Sequence, residues 1–169
     1  MSFEDLKILF ISTETFGIEA RIKDKLIDLG ADVDYFNERP SNGVFLKGII
    51  RVQAGFAAKR INDYYTKILE DIKEKKYDYL FVIKGEAIPR SFLQYFIHKN
   101  PGCKRIFYTW DSIKNNRNAL GILDLFETKY SFDDEDCTRY NFKLRPLFYF
   151  EEFSFTQGGE TEYDLVHIG

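Results

Sequence analysis

Short apolar runs alternate with polar segments along this chain of 169 residues. The apolar runs are rich in branched and aromatic residues, which is typical of strands that are buried on both faces of a parallel sheet. Six runs are predicted to be strands, at residues 7–12, 31–37, 77–85, 104–110, 129–132 and 144–150. We expect the first of them to lie at the centre of the sheet.

The segments between these strands have helical spacing. Apolar residues recur every three or four positions at 18–29 and again at 61–72, so each segment is predicted to bury one face of a helix. Pro89 suits the first position of a third helix, the apolar face at 119–126 predicts a fourth, and Asp133 can cap a short fifth. Because strands and helices alternate, the sequence predicts an α/β fold: a doubly wound, mainly parallel Rossmann-like sheet with helices on both faces.

The end of the chain breaks this alternation. A polar stretch with glycines is followed by a strand-like run at residues 163–168 that stops at a glycine. A strand that ends in glycine is how a second Rossmann-like unit would open, although the same run could be a last edge strand of the first sheet. We therefore predict a Rossmann-like, acceptor-side domain at residues 1–152, and at 153–169 a linker with the truncated start of a second domain.

Composition narrows the classes of function. The formal net charge of −3 argues against a nucleic-acid binder, because such domains usually carry excess positive charge. Cys103 and Cys137 stand apart from each other and from any Cys/His cluster, so neither a metal site nor a disulfide framework is visible. No apolar run approaches the roughly 18 residues of a membrane span, and the N-terminus lacks the layout of a signal peptide. We expect a cytoplasmic protein without a cofactor.

The segment KILFISTETFG, residues 7–17, is a predicted strand that runs into a loop of hydroxyls, one carboxylate and a glycine. It lacks the glycines of a dinucleotide fingerprint and the P-loop pattern. The hydroxyl-rich phosphate loop of flavodoxins is the nearest match, but Glu14 places a negative charge beside the expected phosphate and Phe16 is too large. Thr13, Glu14 and Thr15 are better suited to hydrogen-bonding a neutral polyol such as a sugar, or to capping the next helix.

Charged residues follow several of the predicted strands. Parallel strands present their carboxyl ends to one edge of the sheet, and ligands bind there, near the point where the strand order reverses. This edge would gather Ser12–Thr15, Glu38, Arg39, Lys84, Gly85, Glu86, Asp111 and Ser112. Glu86 and Asp111 are the candidate catalytic bases, because a carboxylate near a closing interface can have its pKa raised into a useful range. Lys84 could hold an anionic ligand, or simply pair with Glu86.

The stretch YTWDS, residues 108–112, contains the single tryptophan of the chain. Trp110 directly precedes Asp111, an arrangement that can place an aromatic platform against the face of a sugar and a carboxylate against its hydroxyl. Ser112 would complete this candidate substrate site. Trp110 could equally fill the core beneath the loop.

Several segments together resemble the N-terminal half of CgeB-like and lipopolysaccharide-biosynthesis glycosyltransferases of the GT-B type. They are KILFIS, DVDYFNERPSN, YDYLFVIKGE, KRIFYTWDS, SFDDEDCTRYNFKLRPLFY and YDLVHIG, and the likeness spans nearly the whole chain. The resemblance implies two Rossmann-like domains across a cleft, the first for the acceptor and the second for the nucleotide-sugar donor, with no required metal. By this resemblance, Asp111 or Glu86 takes the proton from an acceptor hydroxyl.

The chain stops where the donor-binding half should begin, so we expect no transferase activity from it alone. Envelope or capsular polysaccharide synthesis is the setting that the resemblance implies, with a sugar or a lipid-linked acceptor as the ligand. The non-enzymatic alternative is a flavodoxin-like or receiver-like module that uses the same crevice to bind a small molecule or a protein.

Residues 41–60 combine apolar side chains with bases. Lys47 and Arg51 are four residues apart and would share one face of a helix. Excess apolar area ringed by bases suits peripheral contact with an anionic membrane, or with a lipid-linked acceptor, at the inner face of the membrane. A helix packed against the sheet, with its bases in solvent, would explain the same pattern.

Overall fold

The computed structural model describes residues 3–40 and 54–150, with side chains from residue 58 onward in the second range. Within them the strands are β1 (Lys7–Ser12), β2 (Asp32–Asn37), β3 (Tyr79–Ile83), β4 (Lys104–Thr109), β5 (Thr128–Ser131) and β6 (Lys143–Leu144). The α-helices are α1 (Ile18–Asp28), α2 (Ala54–Ile72), α3 (Arg90–Lys99) and α4 (Asp134–Tyr140). Two 3₁₀ helices, Arg117–Gly121 and Leu123–Leu125, connect β4 to β5.

The six strands form one sheet in the order β2-β1-β3-β4-β5-β6, and every neighbouring pair is parallel. The prediction of an α/β, doubly wound, Rossmann-like sheet is confirmed. The chain moves from β1 outward to β2 and then crosses to β3, so the strand order reverses between β1 and β3. β1, which we expected at the centre, lies inside the sheet but only one strand from its edge.

Apolar side chains cover both faces of the sheet. On the first face, α2, α3, the 3₁₀ helices and α4 pack against alternate residues of β1, β3 and β4, including Leu9, Leu80 and Phe107. On the second face, Ile22 and Leu26 of α1 join the residues that alternate with these. Burial on both faces explains why the strand sequences are nearly continuous apolar runs. Of the described helices, α1 alone contributes to the second face.

The predicted helix at 119–126 is wrong in type. Hydrogen bonds from the N–H of Ala119, Ile122 and Leu125 each reach back three residues, which defines 3₁₀ turns rather than an α-helix. Over so short a segment an apolar repeat of three or four residues fits both kinds of helix. Leu120, which belongs to the apolar face predicted at 119–126, is 41% exposed.

The predicted strand at 144–150 is wrong over most of its length. Only Lys143 and Leu144 pair with β5, and the last ladder-like hydrogen bond runs from the N–H of Arg145 to the carbonyl of Ser131 (2.8 Å). Pro146 follows directly and has no N–H to donate, so pairing stops there. Pro89 similarly precedes α3 instead of opening it, as its extended ψ of 133° shows.

Several predictions fall outside the described residues. These are most of the helix expected within 41–60, the strand at 163–168 and the domain division after residue 152. Among the helices that are described, none is both long and apolar enough to cross a membrane.

Candidate functional site

The loops that follow β1, β2, β3 and β4 meet at the carboxyl edge of the sheet, around the point where the strand order reverses. Open α/β sheets bind their ligands at this position because the two loops flanking the reversal diverge and leave a crevice between them. The loops after β3 and β4 carry Lys84, Glu86 and Asp111 to this edge.

The loop after β3 begins with two residues in the left-handed backbone region. Lys84 has a φ of 76° and Gly85 a φ of 63°. A Cβ at Gly85 would lie 2.8 Å from Cε2 of Phe107, so glycine is required there for space as well as for conformation. The strained Lys84 is held by its N–H, which donates to the carbonyl of Tyr108 (2.9 Å), and by its carbonyl, which accepts from Nδ2 of Asn116 (2.6 Å).

This backbone conformation places the Lys84 ammonium between the two candidate bases. Nζ lies 2.8 Å from Oδ2 of Asp111 and 3.8 Å from Oε2 of Glu86. Glu86 is also ion-paired and hydrogen-bonded to the guanidinium of Arg39, at the end of β2. The pairing of Lys84 with Glu86 that we considered is therefore present, and Asp111 joins it. These charges alternate in sign across the ends of three strands.

Glu38 continues the same chain of charges into the interior. Its side chain has no exposed surface, and its Oε2 accepts a hydrogen bond from the N–H of Glu86 (3.2 Å). Its Oε1 has no hydrogen-bond partner among the described residues, and Nε of Arg39 lies 3.9 Å away. Burial raises the pKa of Glu38 to about 7. The positive charge of Arg39 lowers this pKa in part, and the negative charge of Glu86 raises it further.

The sequence placed Glu38 at this edge of the sheet but gave no reason to select it. Its distinguishing property is complete burial. The buried Tyr65 of α2 holds the backbone at this position, because its hydroxyl donates to the Glu38 carbonyl (2.9 Å). An acidic residue directly after an apolar strand, followed by an arginine and a proline, is the signal that was available.

The loop after β1 uses its hydroxyls internally. Oγ1 of Thr13 and Oγ1 of Thr15 lie 3.3 Å apart, and Thr13 is buried. Neither threonine caps α1, because the N-cap is Gly17 and it makes no side-chain cap bond. Instead, Oε2 of Glu19 accepts from the N–H of Thr15 (2.8 Å), which ties the helix back to the loop.

Two further residues of this loop are at its surface. Oε2 of Glu14 accepts from Nδ2 of Asn37 at 3.5 Å, which places it toward the end of β2. Phe16 is fully exposed and has a φ of 52°, an unusual backbone conformation for a bulky residue. Strained, exposed aromatic residues at a ligand-binding edge are candidates for stacking on a ligand.

Trp110 and Ser112 occupy structural positions in the loop after β4. The ring of Trp110 packs edge-on against Tyr108 (6.3 Å between centroids) and Phe148 (6.2 Å), within the second-face cluster. This arrangement agrees with the core alternative for Trp110 better than with a sugar platform. Oγ of Ser112 accepts from the N–H of Lys114 (3.3 Å) and so helps to shape the loop that carries Asp111.

The described residues contain no set of three or more His, Cys, Asp or Glu side chains that could hold a metal ion. Both cysteines are free thiols, and burial raises the pKa of Cys103 to about 12.

Comparisons with known proteins add little. No protein-family model and no curated protein matches the sequence. Among solved structures, the chain is similar to a pilus assembly-related protein from Burkholderia pseudomallei K96243, with 14% sequence identity and a TM-score of 0.38. The alignment covers 78% of this chain and 82% of that chain. A likeness of this strength carries no argument about function, so the resemblance to glycosyltransferases stays a prediction.

Proposed function

We propose that this chain is the acceptor-binding domain of a GT-B-like sugar transferase in envelope or capsular polysaccharide synthesis. One observation carries the proposal: a strained Lys84 is held between Glu86 and Asp111 at the reversal of strand order. Backbone strain of this kind is stored at binding and catalytic sites, and this is the position where open α/β sheets bind ligands. The activity would be cytoplasmic, at the inner face of the membrane.

The charges of the site suit a ligand rich in hydroxyls. Arg39 and Lys84 supply two positive charges, and Glu86 and Asp111 supply two negative ones. A balanced set of this kind favours neither an anion nor a cation, but its carboxylates can accept from sugar hydroxyls while Lys84 donates to them. Hydrogen bonds to charged groups are strong enough, at about 1.5–3 kcal/mol each, to select among hydroxyl positions.

The proton transfer would use the same groups. In the structure Asp111 is paired with Lys84, so an acceptor hydroxyl that inserts between them would contact both a base and a cation. Asp111 or Glu86 would take the hydroxyl proton as the oxygen bonds to the anomeric carbon of the donor sugar. The bond from that carbon to the phosphate oxygen of the donor would break, and the nucleotide would leave with the electron pair. This domain would hold the acceptor, and the other half of such an enzyme would hold that nucleotide-sugar donor.

Ligand binding by the isolated chain tests this proposal. Titration with a panel of mono- and disaccharides, followed by amide NMR, should shift the signals of residues near Lys84 and Asp111. Lys84→Met and Asp111→Asn should each weaken binding about tenfold or more, because each removes a charged hydrogen bond. Lys75→Met is the matched control, since Lys75 is ion-paired with Asp34 away from the site. Shifts confined to other surfaces, or equal affinity in all variants, would refute the proposal.

A second function is favoured by the topology. The order β2-β1-β3-β4-β5 is that of flavodoxin-like folds, which bind a phosphate-bearing ring compound or a protein partner at the β1/β3 reversal. Exposed Phe16 could stack on such a ring. An absorption spectrum of the purified protein, with a titration of FMN, separates the two candidates, because stoichiometric flavin binding would replace the transferase proposal.

A further inference from the structure

The second face of the sheet contains an apolar groove with a volume of about 600 Å³. The described helices after β2 pack on the first face, and α1 is the described helix on the second face. The groove lies beside α1 and over β1, β3, β4 and β5, and Leu26 of α1 and Ile8 of β1 form part of its lining. Its walls include Phe81, Ile106, Tyr108, Tyr130, Arg145 and Phe148. Volumes of about 300–1,000 Å³ and aromatic walls with few polar groups are typical of small-molecule sites.

Tyr108 and Arg145 place a hydroxyl and a positive charge among these largely apolar walls. Tyr108 is 8% exposed, and its hydroxyl has no hydrogen-bond partner in the part of the chain that the structure describes. Leaving such a group unpaired costs about 1–3 kcal/mol, so a bound partner for it would be stabilising. Arg145 lines the same groove, and its charge is near enough to oppose the rise that burial causes in the pKa of Tyr108.

We propose that this groove binds an amphipathic anion: a molecule with an apolar body and one carboxylate or phosphate head group. The aromatic and aliphatic walls would bury the apolar body, Arg145 would pair with the head group, and the Tyr108 hydroxyl would donate to it. A purely apolar ligand would leave both polar groups unused, and a free sugar would bring neither an apolar body to fill the groove nor a charge to pair with Arg145. The site is on a different surface from the carboxyl-edge crevice and does not depend on its function.

The single tryptophan provides a built-in reporter for this groove. The ring of Trp110 lies 6.2 Å from Phe148 and 6.3 Å from Tyr108, both of which line the walls. The full chain would be titrated with dodecanoate and with dodecyl phosphate, below their micelle concentrations, while its fluorescence is recorded. We expect saturable 1:1 binding of these anions. Dodecyl maltoside, which has a neutral head group, should bind about tenfold more weakly because it lacks the charged pairing, and acetate should not bind.

Comparing the affinities of dodecanoate and dodecyl phosphate shows whether the groove prefers a carboxylate or a phosphate head group. Either preference supports the proposal. Arg145→Gln should weaken binding of the anions about tenfold and leave that of dodecyl maltoside unchanged, because it removes a charged hydrogen bond only. Tyr108→Phe should weaken anion binding about threefold to tenfold, as expected for a neutral donor. Lys143→Gln is the matched control: it is an exposed cation two residues away that does not line the groove, and it should leave all affinities unchanged.

Three results would overturn the proposal. The first is the absence of saturable binding by the native chain. The second is an equal affinity of the Arg145→Gln and native chains for dodecanoate. The third is a stable dimer, detected by sedimentation, to which dodecanoate does not bind and which dodecanoate does not dissociate. The groove would then be an interface between two copies of the chain.

Discussion

Glu38 places a carboxyl group inside the fold with no exposed surface, and its Oε1 has no hydrogen-bond partner in the described part of the chain. Because its pKa is raised from 4.5 to about 7, the folded protein keeps the proton over a range in which the unfolded chain has released it. The stabilising contribution of the protonated group is therefore complete below about pH 4.5 and is lost as the pH rises through 7. The loss is on the order of 3 kcal/mol.

Glu38→Gln tests this pH dependence, because glutamine cannot ionise. We expect the free energy of unfolding of the native chain, relative to that of the variant, to fall between pH 4.5 and pH 7 and then to level off. Urea unfolding at a series of pH values measures the difference. Glu70→Gln removes an exposed carboxylate from α2 and should show no such fall. Native and Glu38→Gln curves that run parallel over the whole range would contradict the prediction.

Gly85 is the second residue whose role can be isolated. Alanine there would require a left-handed backbone and a Cβ 2.8 Å from the Phe107 ring. We expect Gly85→Ala to lower the free energy of unfolding by about 2–4 kcal/mol, from the sum of backbone strain and overpacking. Gly102→Ala is the control, since a Cβ there meets nothing within 4 Å. Denaturant unfolding of both variants measures the difference. If Gly85→Ala loses no more stability than Gly102→Ala, the loop accommodates the added Cβ without cost.

At the scale of elements, α4 depends on its cap. Oδ1 of Asp133 accepts from the N–H groups of Glu135 (2.8 Å) and Asp136 (3.3 Å), which confirms the predicted capping role. Asp133→Ala should destabilise the fold by about 1 kcal/mol. The control is Asp134→Ala, an exposed first-turn acid that makes no cap bond, for which thermal unfolding should show a smaller loss. Equal losses for the two variants would show that first-turn charge, and not the cap bond, stabilises the helix.

The strength of each local signal explains which elements the sequence could predict. β1, β3 and β4 are buried on both faces, so their apolar runs are continuous and their positions followed directly from the pattern. The segment after Leu144 is also rich in apolar residues, but strand pairing there needs a neighbouring strand and free backbone N–H groups. Pro146 removes one of these N–H groups. The 3₁₀ turns could not be separated from an α-helix because they are too short for the two periods to diverge.

The candidate site, too, could be predicted only where it follows from local sequence pattern and strand order. Parallel topology alone brought Lys84, Glu86 and Asp111 to one edge, so the sequence could predict their proximity. It could not predict the complete burial of the Glu38 carboxyl, and it left open whether Trp110 fills the core or faces a ligand, because both depend on contacts between elements distant in sequence. The groove on that face was missed for the same reason.

Contact with a membrane is the remaining expectation for the whole molecule. Lys47 and Arg51 lie outside the described residues, and the expectation rests on their helical spacing among apolar residues. Each basic residue near an anionic surface contributes about 1 kcal/mol, so the double variant Lys47→Glu, Arg51→Glu should bind anionic vesicles at least about 30-fold more weakly. The measurement is co-sedimentation of the full chain with vesicles containing phosphatidylserine, at low and at raised salt.

A second double variant with the same change in net charge shows whether binding depends on this segment or on the net charge of the chain. Lys114→Glu, Arg117→Glu reverses two exposed bases elsewhere on the molecule, and it should leave most of the binding intact. Raised salt should release the native chain, because exposed charges are screened over about 10 Å at 0.1 M ionic strength. If the native chain stays in the supernatant at low salt, or if both double variants lose binding equally, residues 41–60 do not form a membrane-binding surface.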